Sequence, residues 1–524
     1  MKMKQLKTIY QTSFLIGNIY TPKVLEDEAL HQLLKTQFNA LTAENIMKPA
    51  LIQPKQATFT FDAADAMVDY ASDHDFHVVG HTLAWHQQTL DWIDEAKTSR
   101  EEALNLLREH LMEIMTRYKG KIISWDVLNE AIEDGVQQDT KAWRKHLRDT
   151  PWLRMIGEDY IQHVFHIAHE LDPHAILYYN DYNLNNQQKR EATYYMVKEL
   201  KEAGVPIQGI GMQGHYHTNT PVQTVEESLA LFTQLDGIEI SVTELDVTVT
   251  GSEKATVLST DHEIEQAQYY AQLFQIYKRY ENSIKRITFW GTDDATSWRR
   301  ERFPTLFNQD YSPKQAFHAI VDPDQFLKDH PLVERDTTQT AVATHGSPVL
   351  GVVQTWHQKH PLSVSRQLTA WEGATAKAYV MWDEVSLYLL ADVSVATLNA
   401  SAKEIHHKDS VDIYLNLMQE QSKNDQTDDH HITITFENEV SFNGKVDIKG
   451  FKSFATTTNN GYQVQVKIPV QKGLFVEQVI GFDLQVNDSN AHGVRQSMAT
   501  WNDVSGRLGT STAGFGKLRL TCAD

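Results

Sequence analysis

Two carboxylates have the type and placement for acid–base chemistry. Glu130 closes the run Trp125-Asp126-Val127-Leu128-Asn129-Glu130, and Glu244 stands in Thr243-Glu244-Leu245-Asp246. Cleavage of a glycosidic bond needs such a pair on separate strands. One acid donates a proton to the leaving oxygen, and the other, ionised, attacks the anomeric carbon or activates water. Carboxyls ~5–5.5 Å apart would give retention and ~6.5–9.5 Å inversion, a choice that chain spacing leaves open. Around the pair, residues 41–48, 80–88, 179–183, 211–215 and 289–298 supply amides, histidines, carboxylates and tryptophans. This inventory suits a neutral sugar, whose C–H faces stack on indole while its hydroxyls take hydrogen bonds. The plainer readings are an ion pair or helix cap for each glutamate, and core packing for Trp85, Trp290 and Trp298. His81, His86 and His215 are ligand types too, but no HExxH spacing sits at a strand end, and neither metal nor cofactor is expected.

Such residues need a frame that gathers strand ends. Short apolar runs at 14–18, 38–42, 78–82, 122–127, 176–180, 207–212, 240–244 and 287–290 are too short for helices and rich in β-branched and aromatic residues. Helical patterns lie between them. The one at 99–118 has Ser99 and Glu102 as a capping box, a stripe of Leu104, Leu107, Leu111, Ile114 and Met115, and Gly120 as its stop. Eight strands alternating with helices predict an α/β fold, a (β/α)8 TIM barrel, whose chemistry collects at the strands' C-terminal ends. A doubly wound sheet shares the alternation, but no glycine-rich phosphate turn follows the first strand.

Past residue 321 the texture changes. A polar, threonine-rich stretch with Pro323, Pro331 and Pro348 reads as a linker, and two-residue alternation at 410–417, 431–436, 462–468 and 479–486 predicts an all-β sandwich. The expected division is a barrel at 8–325, a linker at 326–345 and a β-sandwich at 346–524, with 418–431 a polar loop.

The 524 residues carry 48 basic and 69 acidic side chains, a net charge of −21. That balance excludes nucleic acid, whose phosphates need clustered Lys and Arg, and anionic membrane surfaces, and it mildly disfavours heavily glucuronidated substrates. Cys522 is the one cysteine, so no intrachain disulfide forms. No apolar run of 7–15 residues follows the basic N-terminus, so no signal peptide is expected, and the protein is expected in the cytoplasm.

The barrel blocks carry a specific likeness. Leu41-Thr42-Ala43-Glu44-Asn45 with Lys48, His81-Thr82-Leu83-Ala84-Trp85-His86, the block ending in Glu130, Gln213-Gly214-His215 and Thr243-Glu244-Leu245-Asp246 occur in order, each at a different strand end. In them the chain resembles glycoside hydrolase family 10, the endo-β-1,4-xylanases. The resemblance implies retaining cleavage of xylan or xylo-oligosaccharides, with Glu130 as acid/base and Glu244 as nucleophile. It implies support from Asn129, which would hold a substrate hydroxyl, from His215, bonded to the nucleophile, and from Asp246, which orients that histidine. It also implies substrate contacts from Glu44, Asn45, Lys48, His81, Trp85, Gln88, Tyr182, Gln213, Trp290 and Trp298. The alternative is a non-catalytic oligosaccharide-binding or scaffold protein, which intact carboxylates and their supports argue against.

Residues 346–524 resemble a family 9 carbohydrate-binding module through Ala378-Tyr379-Val380-Met381-Trp382-Asp383-Glu384, Asp409-Ser410-Val411-Asp412-Ile413, 481–488 and Phe515-Gly516-Lys517-Leu518-Arg519-Leu520. Sugar-binding members clamp a chain end between two tryptophans. Here His406-His407-Lys408 stands at one of those places, and 507–514 holds no aromatic residue at the other. The domain is therefore expected to stabilise the protein or form a homo-oligomer, with Trp501 in its core.

Overall fold

A computed structural model describes residues 4–522 except 135, 137, 138, 250–256, 333–337, 358, 369–372, 403, 404, 418–428, 445–448, 471, 472, 492, 494, 504–507 and 509–513. The chain divides into two compact units near residue 332.

In the first unit nine parallel strands run β1 (Leu15–Tyr20), β2 (Ala40–Ala43), β3 (His77–Ala84), β4 (Ile122–Asn129), β5 (Ile176–Asp181), β6 (Gly209–Met212), β7 (His215–His217), β8 (Glu239–Thr248) and β9 (Ile284–Phe289). Pairing of β1 with β9 and of β6 with β8 closes eight of them into the expected barrel. The ninth, β7, is a short rim strand laid against β8. Because the strands are buried at nearly every position, the apolar residues of the barrel interior and of the layer under the helices form one core. Close approach is built in by glycine: a methyl on Gly80 would lie 2.0 Å from the buried Trp125 ring. The helix predicted at 99–118 spans Arg100–Tyr118, with Ser99 and Glu102 forming both bonds of the capping box, and Leu107, Leu111, Ile114 and Met115 buried.

The stretch expected as linker is partly ordered structure. Pro323 opens a helix, Pro323–Asp329, whose N-cap Asp322 accepts from the Gln325 N–H. Proline at the first helical position starts a helix rather than breaking a chain. Phe326 packs with Ala267, Ala271 and Ala319 of the first unit. At the other end of that stretch, Thr340–His345 is a strand of the second unit.

That second unit is the expected all-β domain. Two groups of antiparallel strands are joined through Thr340–His345, which pairs in parallel with both Thr375–Asp383 and Gly516–Thr521. Residues from both groups, among them Trp382, Leu389, Ile413, Val464, Leu484 and Trp501, share a single core, as expected for Trp501. Within the stretch expected as a loop, 418–428 lie outside the described residues and Asp429 already begins the strand Asp429–Thr435. Most of the stretch expected to lack a clamp aromatic, 507–514, is likewise outside them. Among the described residues no helix is long and apolar enough to cross a membrane.

Candidate active site

Strand register sets the level of the site. Asn129 of β4 is paired with Asn180 of β5, and Asn180 in turn with Gly211 of β6. Gly211 has no side chain, and a methyl there would lie 2.3 Å from Asn180 Oδ1. Asn180 therefore has room to reach across the barrel mouth. Its Nδ2 donates to Asn129 Oδ1 and to Glu244 Oε1, both at 2.9 Å, while Thr243 Oγ1 donates to its Oδ1 at 2.6 Å. One amide thus ties the strand that carries Glu130 to the strand that carries Glu244.

Glu244 accepts on both oxygens, the posture of an ionised carboxylate. Opposite Asn180, His215 Nε2 lies 3.1 Å from Oε2. The β7–β8 register pairs His215 with Asp246, and Asp246 Oδ2 lies 3.0 Å from His215 Nδ1. Burial pushes the His215 imidazole down, but the charges of Asp246 and Glu244 outweigh it and hold the ring up at about 9. At neutral pH His215 is an imidazolium donating to both carboxylates. Asp246 also accepts from Trp298 Nε1 at 3.0 Å and Arg299 Nη1 at 2.5 Å. Against the effect of burial, the charges of His215 and Arg299 keep its carboxyl below the usual range.

Glu130 follows Asn129 in a left-handed backbone conformation, φ +59°. Two bonds hold it there: its N–H donates to Asn180 O at 2.8 Å, and Arg148 Nε donates to its carbonyl at 2.9 Å. Its carboxylate accepts from Trp85 Nε1 at 2.8 Å, Gln213 Nε2 at 2.9 Å and Asn129 Nδ2 at 3.2 Å. The nearest imidazole, His86, lies 3.7 Å away. Burial, helped by the Arg148 charge, pushes His86 down to about 2, so this ring is neutral. Glu244 thus lies against His215 and, at 4.0 Å, His81, while Glu130 lies against His86, and the rings of His215 and His86 differ in charge.

The expected walls assemble around this pair. His81 is fixed by Asp126 at 2.9 Å and carries Trp290 edge-on at 5.3 Å. Lys48 Nζ donates to Asn45 Oδ1 at 2.9 Å and lies 5.1 Å from the centre of the Trp85 ring. Burial lowers the Lys48 amine and raises the Glu44 carboxyl, each opposed by the charges around it.

Two expected contacts are engaged in other bonds. Gln88 is exposed on the loop after β3, where its carbonyl accepts from the Ala50 N–H at 2.7 Å. Tyr182 is buried, its hydroxyl bonded to Asp134 and Arg148 and its ring 3.8 Å from Lys189 Nζ. The buried Lys189 and the half-buried Arg148 need partners there, and they enclose the ring. Asn180, Thr243 and Arg299 were not anticipated as site residues. The signal for Asn180 was a polar residue inside a buried run. Arg299 had none, since its partners, Asp246 and the Tyr216 carbonyl, are brought to it only by the fold.

Among the described residues no group of three or more His, Cys, Asp or Glu side chains has metal-holding geometry.

Comparison with known proteins places this arrangement. Residues 5–323 match the model of Glycosyl hydrolase family 10, and residues 351–523 that of the Carbohydrate family 9 binding domain-like family. Over 98% of its length the chain is 36% identical to Endo-1,4-beta-xylanase A of Thermoanaerobacterium saccharolyticum and to Exoglucanase XynX of Acetivibrio thermocellus, spanning 43% and 46% of those proteins. It therefore covers less than half the length of these curated relatives. Among solved structures, xylanase XynB from Paenibacillus barcinonensis is 36% identical, with a TM-score of 0.58 over 62% of this chain and all of that one. TsXylA, described as an intracellular xylanase from Thermoanaerobacterium saccharolyticum and solved as a mutant in complex with xylotriose, is 39% identical. Its TM-score is 0.56 over 61% of this chain and 98% of that one.

Proposed function

The chain belongs to glycosyl hydrolase family 10, and on that premise we propose that its barrel is a retaining endo-β-1,4-xylanase acting on xylan or xylo-oligosaccharides. The observation that supports the assignment of roles is the chain of bonds from Asp246 through His215 to Glu244. The imidazolium of His215 faces Glu244 and favours the anion, so Glu244 is the nucleophile. Glu130, held by Trp85 and Gln213 with the neutral His86 nearby, serves as the acid.

In the first step a Glu244 oxygen bonds to the anomeric carbon while Glu130 gives its proton to the departing oxygen. Esterified, Glu244 no longer carries the charge that raises proton affinity nearby. Glu130 then takes a proton from water, which attacks the same carbon and releases Glu244. Asn180, bonded to both Asn129 and Glu244, keeps the two carboxylates in register through the exchange.

A time course of product anomers by proton NMR on xylohexaose and xylan tests the reading. The wild type is expected to release the β-anomer first and Glu244→Ala to release none. Silence from both would remove the activity, and first release of the α-anomer would remove the retaining mechanism. Glu130→Gln should flatten the limb of the bell-shaped pH profile that reports the acid, and an unchanged profile would take Glu130 out of that role.

For the second unit a stabilising or self-associating role is supported by Trp501, which lies in the core rather than at the surface. Sedimentation equilibrium and titration with xylotriose would separate this from sugar binding. The solved relative described as intracellular supports the same placement for this chain, which cell fractionation would check.

A further inference from the structure

The loop that follows β9 carries a second concavity. Its volume is about 880 Å³, within the ~300–1,000 Å³ of small-molecule sites. Its lining includes Asp294, Arg300, Phe303, Asn308, Gln309 and Asp310, none of which belongs to the carboxylate pair or its supports. The cavity and the site share a loop: Trp298 and Arg299 turn towards Asp246, and Arg300 begins the short helix beside them. Tyr311, next to the cavity, bonds to Asp27 and Lys23 beyond β1. The cavity thus lies on the β9–β1 flank, away from the Tyr182 side.

The acids of its lining are occupied. Asp294 Oδ2 accepts from Lys314 Nζ at 2.8 Å, and its Oδ1 from the Thr305 N–H and Oγ1 at 2.8 and 2.9 Å. Asp310 accepts from the Ser312 N–H at 3.0 Å and Oγ at 2.5 Å. Arg300 is different. It is exposed, and its guanidinium has no ion-pair partner among the described residues. Its fork, the exposed amides of Asn308 and Gln309 and the half-buried ring of Phe303 offer donors, acceptors and one apolar face. The lining holds three acidic side chains, Asp294, Glu301 and Asp310, against the one basic Arg300, which disfavours an anionic ligand.

We propose that this cavity is an accessory subsite for a neutral pentose unit of the substrate, a distal chain unit or a neutral branch that extends past Trp298. The proposal rests on the xylanase reading above. Contacts there are made equally in the bound state and the transition state, so losing them raises KM and leaves kcat.

The test measures kcat and KM of wild type, Arg300→Ala and Gln309→Ala on an aryl β-xylobioside, linear xylohexaose, and xylotetraose carrying an arabinosyl or a glucuronosyl branch. The aryl xylobioside carries neither a distal xylose nor a branch and should change less than twofold. KM should rise five- to tenfold on xylohexaose if the occupant is a distal unit, or on the arabinosyl substrate alone if it is a branch. Unchanged constants on both would overturn the subsite, and an equal rise on the glucuronosyl substrate would overturn its neutral character. If the wild type cleaves nothing, the xylanase reading fails. Calorimetric titration of wild type and Arg300→Ala with the arabinosyl oligosaccharide then decides the subsite separately: equal binding, or none, overturns it.

Discussion

At the scale of single residues, Asp246 is the hinge between the candidate nucleophile and its surroundings, holding His215, Trp298 and Arg299 at once. Arg299 also donates to Tyr216 O at 3.1 Å, so it fixes the carboxylate from behind. Arg299→Met should lower kcat/KM on the order of 100-fold, the usual consequence of a ~1 Å displacement at a reacting centre. Arg299→Lys, keeping charge without the fork, should recover only part of the rate. His215 itself makes stability pH-dependent. Its folded value, about 9, exceeds the ordinary 6.5, so its contribution is fully present below pH 6.5 and lost as pH rises through about 9. Melting curves of His215→Asn should therefore fall furthest below wild type at pH 6.5 and just below, and approach it by pH 10. Glu130 and Glu244 could be singled out in the chain because each closes a short apolar run within a distinctive block. Arg299 could not be, because a buried cation is explained only by the carboxylate that tertiary pairing brings to it.

Among the elements, β6 acts through what it lacks. Gly211→Ala would press on Asn180 Oδ1 and on Thr243 Cγ2, 2.9 Å away, and break the link between the two carboxylate strands. A fall in kcat of tenfold or more with KM little changed is expected, and steady-state kinetics on an aryl xylobioside would show it. Gly80→Ala, set against the Trp125 ring, should instead fail as a fold, with a depressed melting temperature or no soluble protein. The helix Arg100–Tyr118 was readable to its cap, since Ser99 and Glu102 encode the start locally. The region after 321 was misread for an equally local reason. Prolines and threonines mark a chain break only where nothing packs on it, and Phe326 packs against helix residues about sixty positions earlier. Rim strand β7 carries His215 yet has three residues, too few to leave a period in the sequence.

For the whole molecule, every site residue proposed here lies in the first unit. The barrel unit alone should keep its kcat/KM on soluble xylobiosides within about twofold of the full chain, and a larger loss would give the second unit a part in the site. The architecture was legible because the hydrophobic period changes from helix-and-strand alternation to strict two-residue alternation. The role of the second unit was not, because its strand blocks record a core and say little about a surface. Its first and last strands, Thr340–His345 and Gly516–Thr521, run side by side in the same direction. The chain therefore enters that unit at one end of the pair and leaves at the other, about 13 Å further along. A module threaded straight through in this way can be strung in tandem, each copy handing the chain forward to the next without either strand being displaced, and so it is suited to duplication and shuffling as a bead on a longer protein.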